Sequence, residues 1–218
     1  MQRVTVEDVP SRAYRGLELL LMAPAVLLSL LGIGVVVGVT GSSGPFGGGL
    51  LGMGILAYLA FAPIALLLTP PLVYLDARKV ADRNLEWEPS PLLYAVLAVP
   101  LSGLVVIEYL YKRHGHVVDW VGSEKWWYCT LFGAIALTVG AAGFASGQLS
   151  LLPIAFFGVP FFSIGIYKDA TYVRLNSDWR PNPANHFVAA LIAGSTGFVW
   201  IPYFAYYLFK RSRSVGLY

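Results

Sequence analysis

Charge is what this 218-residue chain has little of. Asp, Glu, Lys and Arg make up 12% of it against 57% hydrophobic residues, where a soluble domain carries about a quarter charged. That shortage excludes a water-soluble globular domain and leaves a multi-pass membrane protein. Cysteine is nearly absent as well: Cys129 stands alone, so an internal disulfide is excluded and the redox compartment is left open. The chain has no nucleophile elbow, no H-E-x-x-H, no Walker loop and no C-x-x-C. It also lacks the run of intramembrane carboxylates or histidines that couples transport to protons or sodium. Glu108 is the one acid well inside an apolar stretch, and it stands four residues before Lys112, a spacing that pairs the two on one helical face. These absences argue for a non-catalytic protein with no cofactor beyond lipid. Lys and Arg cluster at the ends of apolar segments, which suits anionic lipid headgroups and speaks against a nucleic-acid partner.

What the chain does have is six apolar segments of the length that a hydrocarbon core of about 30 Å demands. They run over 17–39, 50–74, 92–111, 127–146, 150–167 and 186–209. The first is too long for a signal-peptide core and is expected to stay in the protein. Residues 1–16, with Arg3, Arg12 and Arg15 among Val4, Val6, Val9 and Tyr14, form an N-terminal segment suited to the interface or to a disordered basic arm. The stretch Thr40–Gly49 is uncharged and glycine-rich, a turn between the first two segments.

The chain also repeats itself. Tyr74, Asp76, Ala77, Val80, Trp87, Pro89 and Pro91 are answered by Tyr167, Asp169, Ala170, Val173, Trp179, Pro181 and Pro183. Each copy then runs to a like ending, Tyr109-Leu110-Tyr111-Lys112-Arg113 and Tyr207-Leu208-Phe209-Lys210-Arg211. The fold class this predicts is an all-α integral membrane protein of six transmembrane helices in two three-helix repeats, 17–118 and 119–218. Because three is odd, full crossing by every segment inverts the second repeat relative to the first. Nine Lys and Arg then share a side with both termini and six lie opposite, which puts the termini in the cytoplasm. If one segment is re-entrant, 150–167 is the first suspect, being short and carrying Pro153 and Pro160.

The prolines of the repeat force an extended entry into the following segment, and Trp87 and Trp179 fit the headgroup level. Asp76 has Arg78 and Lys79 close by in sequence, and Asp169 has Lys168 and Arg174. The tips therefore read either as structural hairpin ends held by local pairing or as gates of a ligand site. A transport site at the bilayer midplane would bring the second and fifth segments together, with Pro63, Thr69, Phe156, Phe157, Pro160, Phe161 and Ser163 as its lining. Such a lining suits a neutral or lipidic solute. A metal or haem site would draw on His114, His116 and His186.

The hairpin from Tyr74 to His114 resembles one found in small uncharacterised membrane proteins of halophilic archaea, and recurs more loosely at 167–211. The resemblance implies a prokaryotic plasma membrane and carries no activity with it. The function these features predict is that of a lipid-embedded subunit of a larger membrane assembly, its partners being lipids and other membrane subunits or itself. A small transporter is the alternative and a metal- or haem-binding protein the second one.

Overall fold

A computed structural model describes residues 4–5, 9, 11–40, 45–83, 85–118 and 123–216. Its long elements are all helices: α1 (Arg12–Val39), α2 (Pro45–Ala81), α3 (Pro91–His116), α4 (Trp126–Ala145), α5 (Leu152–Asn176), α6 (Pro183–Ser195) and α7 (Trp200–Ser214). Among the described residues one extended pairing occurs, which sets Val4 opposite Val117 and Thr5 opposite Val118, in parallel. Ser11 starts α1 by accepting the Tyr14 N–H on its hydroxyl at 3.3 Å. Prolines start α3 and α6 and stand in the first turn of α5, where a missing N–H costs nothing.

Five helical stretches are long and apolar enough to cross a membrane: Arg12–Val39, Gly49–Ala81, Pro91–His116, Trp126–Ala145 and Leu149–Asn176. The sixth apolar segment, expected as one span over 186–209, is instead two helices of 13 and 15 residues. Between them Thr196 leaves helical geometry (φ −112°, ψ 42°) and Gly197 takes φ +71°, a conformation open to glycine at little cost. The chain reverses at this break, because the rings of His186 and Tyr207 lie only 5.3 Å apart. In one straight helix those two residues would stand about 31 Å apart.

α3 reverses in the same way despite its length. Leu101, after Pro100, has φ −129° and ψ 34°, and beyond it the helix returns so that the rings of Tyr94 and Tyr109 lie 5.1 Å apart. A straight helix would separate them by about 22 Å. Tyr94 also donates to Glu108 Oε1 at 3.3 Å across the two arms. The suspected re-entrant segment, 150–167, is by contrast part of the continuous 25-residue α5. The fold-backs thus fall on the third and sixth segments.

α1 packs between α2 and α5, α4 packs along α5, and the two helical hairpins pack on α2 and α5. The close α4–α5 approach needs glycine: a Cβ on Gly133 would overlap the backbone of Phe162, and one on Gly165 would lie 2.6 Å from the Thr130 nitrogen. With both hairpins folded back, the stretches 76–91 and 169–183 come to the same end of the bundle. Asn182 donates to the Tyr111 carbonyl at 2.7 Å and Arg174 to the Gly115 carbonyl at 3.2 Å, tying the tip of one half to the ending of the other. At the opposite end the helices are joined without charge, since neither 19–75 nor 126–167 contains an Asp, Glu, Lys or Arg.

Candidate functional site

The two tips build the same buried clasp from the same residue types. In the first, Asp76 Oδ2 accepts from Arg113 Nε at 2.7 Å and from the Tyr109 hydroxyl at 2.8 Å. Trp87 lies 5.6 Å from the Tyr109 ring, and Arg113 sits over the Tyr14 ring at 3.9 Å. In the second, Asp169 Oδ2 accepts from Arg211 Nε and from the Tyr207 hydroxyl, both at 2.9 Å. Trp179 lies 5.5 Å from Tyr207, and Arg211 sits over the Trp127 ring at 4.4 Å. Both ion pairs are fully out of contact with solvent, so each charge must be matched by its partner.

The pairing expected for the two aspartates was local, with Arg78, Lys79, Lys168 or Arg174. Their partners come instead from the return arms of the hairpins, Arg113 and Arg211, which the sequence signals only as matched Lys-Arg endings. Pro89 and Pro181 are buried beside the clasps, and Pro91 and Pro183 start the hairpin helices. Tyr74 is 37% exposed, whereas its counterpart Tyr167 is wholly buried.

That difference marks a second polar cluster, present once, where the two halves meet. Tyr14 and Tyr167 each donate to Glu18 Oε1 at 2.8 Å, and Lys168 reaches the same oxygen at 2.9 Å. The two phenol oxygens are 3.1 Å apart, and each lies 3.1 Å from His114 Nε2. With both phenol hydrogens on the carboxylate, the Nε2 hydrogen is the one left for the phenol oxygens to accept. Nothing in the sequence singles out Glu18; only the fold brings α5 across to it.

The three histidines do not meet. His114 belongs to this cluster, His116 stacks on Trp87 at 5.7 Å, and His186 pairs through Nδ1 with the Tyr203 hydroxyl at 2.9 Å. Among the described residues no group of three or more His, Cys, Asp and Glu side chains converges to hold a metal.

The residues expected at one midplane site also disperse, because α1 stands between α2 and α5. Phe157, Pro160 and Phe161 line a groove of about 410 Å³ with Ser29, Trp126 and Cys129. Phe156 borders another, of about 420 Å³, at the α6–α7 break. Thr69 lines a third of about 360 Å³, with Ser102 and Gly103 of α3. Ser163 is buried and spends its hydroxyl on the Val159 carbonyl at 2.9 Å, and Pro63 lies exposed on α2. Comparison with protein-family models, curated proteins and solved structures gives no match.

Proposed function

We propose that the chain is a non-catalytic integral membrane protein of two like halves in parallel orientation, serving as a lipid-embedded subunit of a larger membrane assembly. In this reading α1, α2, α4 and α5 cross the bilayer, while α3 and the α6–α7 pair dip in from the clasp end and return. Charge supports that placement: every Lys and Arg among the described residues lies at the clasp end, and the positive-inside rule assigns such an end to the cytoplasm. The hairpin turns, at Leu101 and at 196–199, carry no charge and suit apolar surroundings.

The observation that carries the assembly role is the exposure of α2. Only 6% of its most apolar 18-residue window is buried, against 33% in α1, 39% in α4 and 33% in α5. The buried charges are closed into clasps, so what this surface offers a partner is apolar contact. Purification in mild detergent followed by native mass spectrometry tests the role: a subunit runs at fixed stoichiometry with another chain or with itself, and a monomer with bound lipid alone would reject it.

A second reading, transport of a neutral or lipidic solute, is favoured by the groove between α1, α4 and α5. Its lining is nearly all apolar, so an unpaired ion there would cost several kcal/mol, about what such groups lose on desolvation. Flux of a labelled lipid by the purified chain in liposomes, abolished by Cys129→Trp, which fills the groove from its partly exposed wall, is the result that would favour this reading over the first.

A further inference from the structure

The halves meet through a contact that is used once and left open twice. Within the chain, α5 of the second half packs on α1 of the first: Tyr167 meets Tyr14, Lys168 meets Glu18, and Phe156 lies against Gly32 and accepts from Ser29 on its carbonyl at 2.6 Å. A two-fold relation between the halves would make α2 pack on α4 in the same manner, and it does not. The contact is therefore heterologous, with one face of each kind left over.

The unused faces are the repeat counterparts of the used ones. On α2, Tyr74 and Leu75 stand where α5 has Tyr167 and Lys168, and both are exposed, Leu75 to 52%. On α4, Trp127 takes the place of Tyr14 beneath its arginine, so Leu131, one turn on and half-buried against the Trp127 cluster, stands where α1 has Glu18. Ile135 (63% exposed), Thr138 and Ala142 then follow the places of Met22, Ala25 and Ser29. Two features show the open faces to be matched to each other. The ion pair of the used contact, Glu18 with Lys168, is replaced on both sides at once, by Leu131 and Leu75. The small residues that meet α5 on α1, Ser29 and Gly32, have small exposed counterparts in Ala142 and Ala145, which permit close helix approach.

We propose that the occupant of both faces is a second copy of this chain, α2 of one protomer packing on α4 of the next in the manner of α5 on α1. The inference rests on the parallel-halves reading and specifies the assembly as head-to-tail. Such contacts close into a ring, in which each chain supplies two quasi-equivalent units, or run on as a filament.

Cysteine pairs bridged by a short bismaleimide in native membranes, in a Cys129→Ser background, separate this inference from its premise. Glu18→Cys with Lys168→Cys should bridge within one chain and leave it monomeric; failure there removes the parallel-halves reading and the inference together. Leu75→Cys with Leu131→Cys should give dimers and a ladder of higher species. The single variants should give nothing alone, and dimers when the two are co-expressed. A monomeric Leu75–Leu131 pair beside a bridged Glu18–Lys168 pair overturns self-association and leaves the halves standing, and bridging of either single variant to itself overturns the head-to-tail geometry. Leu75→Arg, checked for native helicity by circular dichroism, should shift the native mass to monomer, and an unchanged oligomer would count against the contact.

Discussion

At the scale of single residues, burial decides the worth of the clasps. Asp76 and Arg113 have side chains with no solvent exposure, so removing one partner strands a charge where water cannot reach it. Asp76→Asn or Arg113→Met should lower stability in detergent by about 3–5 kcal/mol, the cost of breaking a buried pair, while Asp76→Leu with Arg113→Met should recover much of the loss. Thermal melts of the three variants check this, and a double variant no better than the worse single one would refute it. The Glu108–Lys112 pair makes the contrast at a similar distance, 2.7 Å, with side chains 45% and 48% exposed. Lys112→Gln should move the same melt by no more than about 1 kcal/mol, as exposed pairs do.

At the scale of elements, helix contact is set by glycine where two backbones touch. Gly133 faces the Phe162 backbone directly and Gly158 would place a Cβ 2.7 Å from that of Ala136, whereas Gly52 and Gly103 have open space before them. Gly133→Ala should therefore destabilise by about 1–3 kcal/mol through overpacking. Gly103→Ala should be neutral or slightly stabilising, since alanine is the better helix former by about 1 kcal/mol. Melts of the two purified variants should differ in sign or nearly so, and equal losses would contradict the α4–α5 packing. The hairpin in α3 was open to reading from Pro100-Leu101-Ser102-Gly103. Hydropathy averages over such a break, because a returning hairpin and a crossing helix need the same apolar surface. The reversal at Leu101 is held by edge-on and tilted ring contacts among Trp87, Tyr94 and Tyr109 and by the bond from Tyr109 to Asp76.

At the scale of the whole molecule, the proposed arrangement makes a claim about orientation. With two crossings and one hairpin in each half, each half would return to its starting side and place Ser90 and Asn182 on one face of the membrane. Single cysteines at these positions, in a Cys129→Ser background, should label with an impermeant maleimide from the same face of sealed vesicles. Labelling from opposite faces would restore the inverted arrangement and remove the parallel one. The charge pattern leads to the same expectation, since the sequence joining α1 to α2 and the sequence joining α4 to α5 hold no ionisable side chain.

Three properties were legible along the chain: its apolar surroundings, the helical character of its segments and the recurrence of its motifs. Apolar content, proline position and a repeated Asp, Trp-x-Pro and Lys-Arg are properties of the chain in one dimension. The absence of charge between α1 and α2 and between α4 and α5 was equally legible there. Packing in three dimensions settles which arginine each aspartate holds and which segments turn back, and it sets α1 between α2 and α5, scattering the expected midplane lining. The physical reason is distance along the chain. Arg113 and Arg211 stand a whole hairpin away from the carboxylates they neutralise, and Tyr167 and Lys168 reach Glu18 from the other half. Contacts of that kind are chosen by packing, which places a buried charge beside its counter-charge wherever the chain can deliver one.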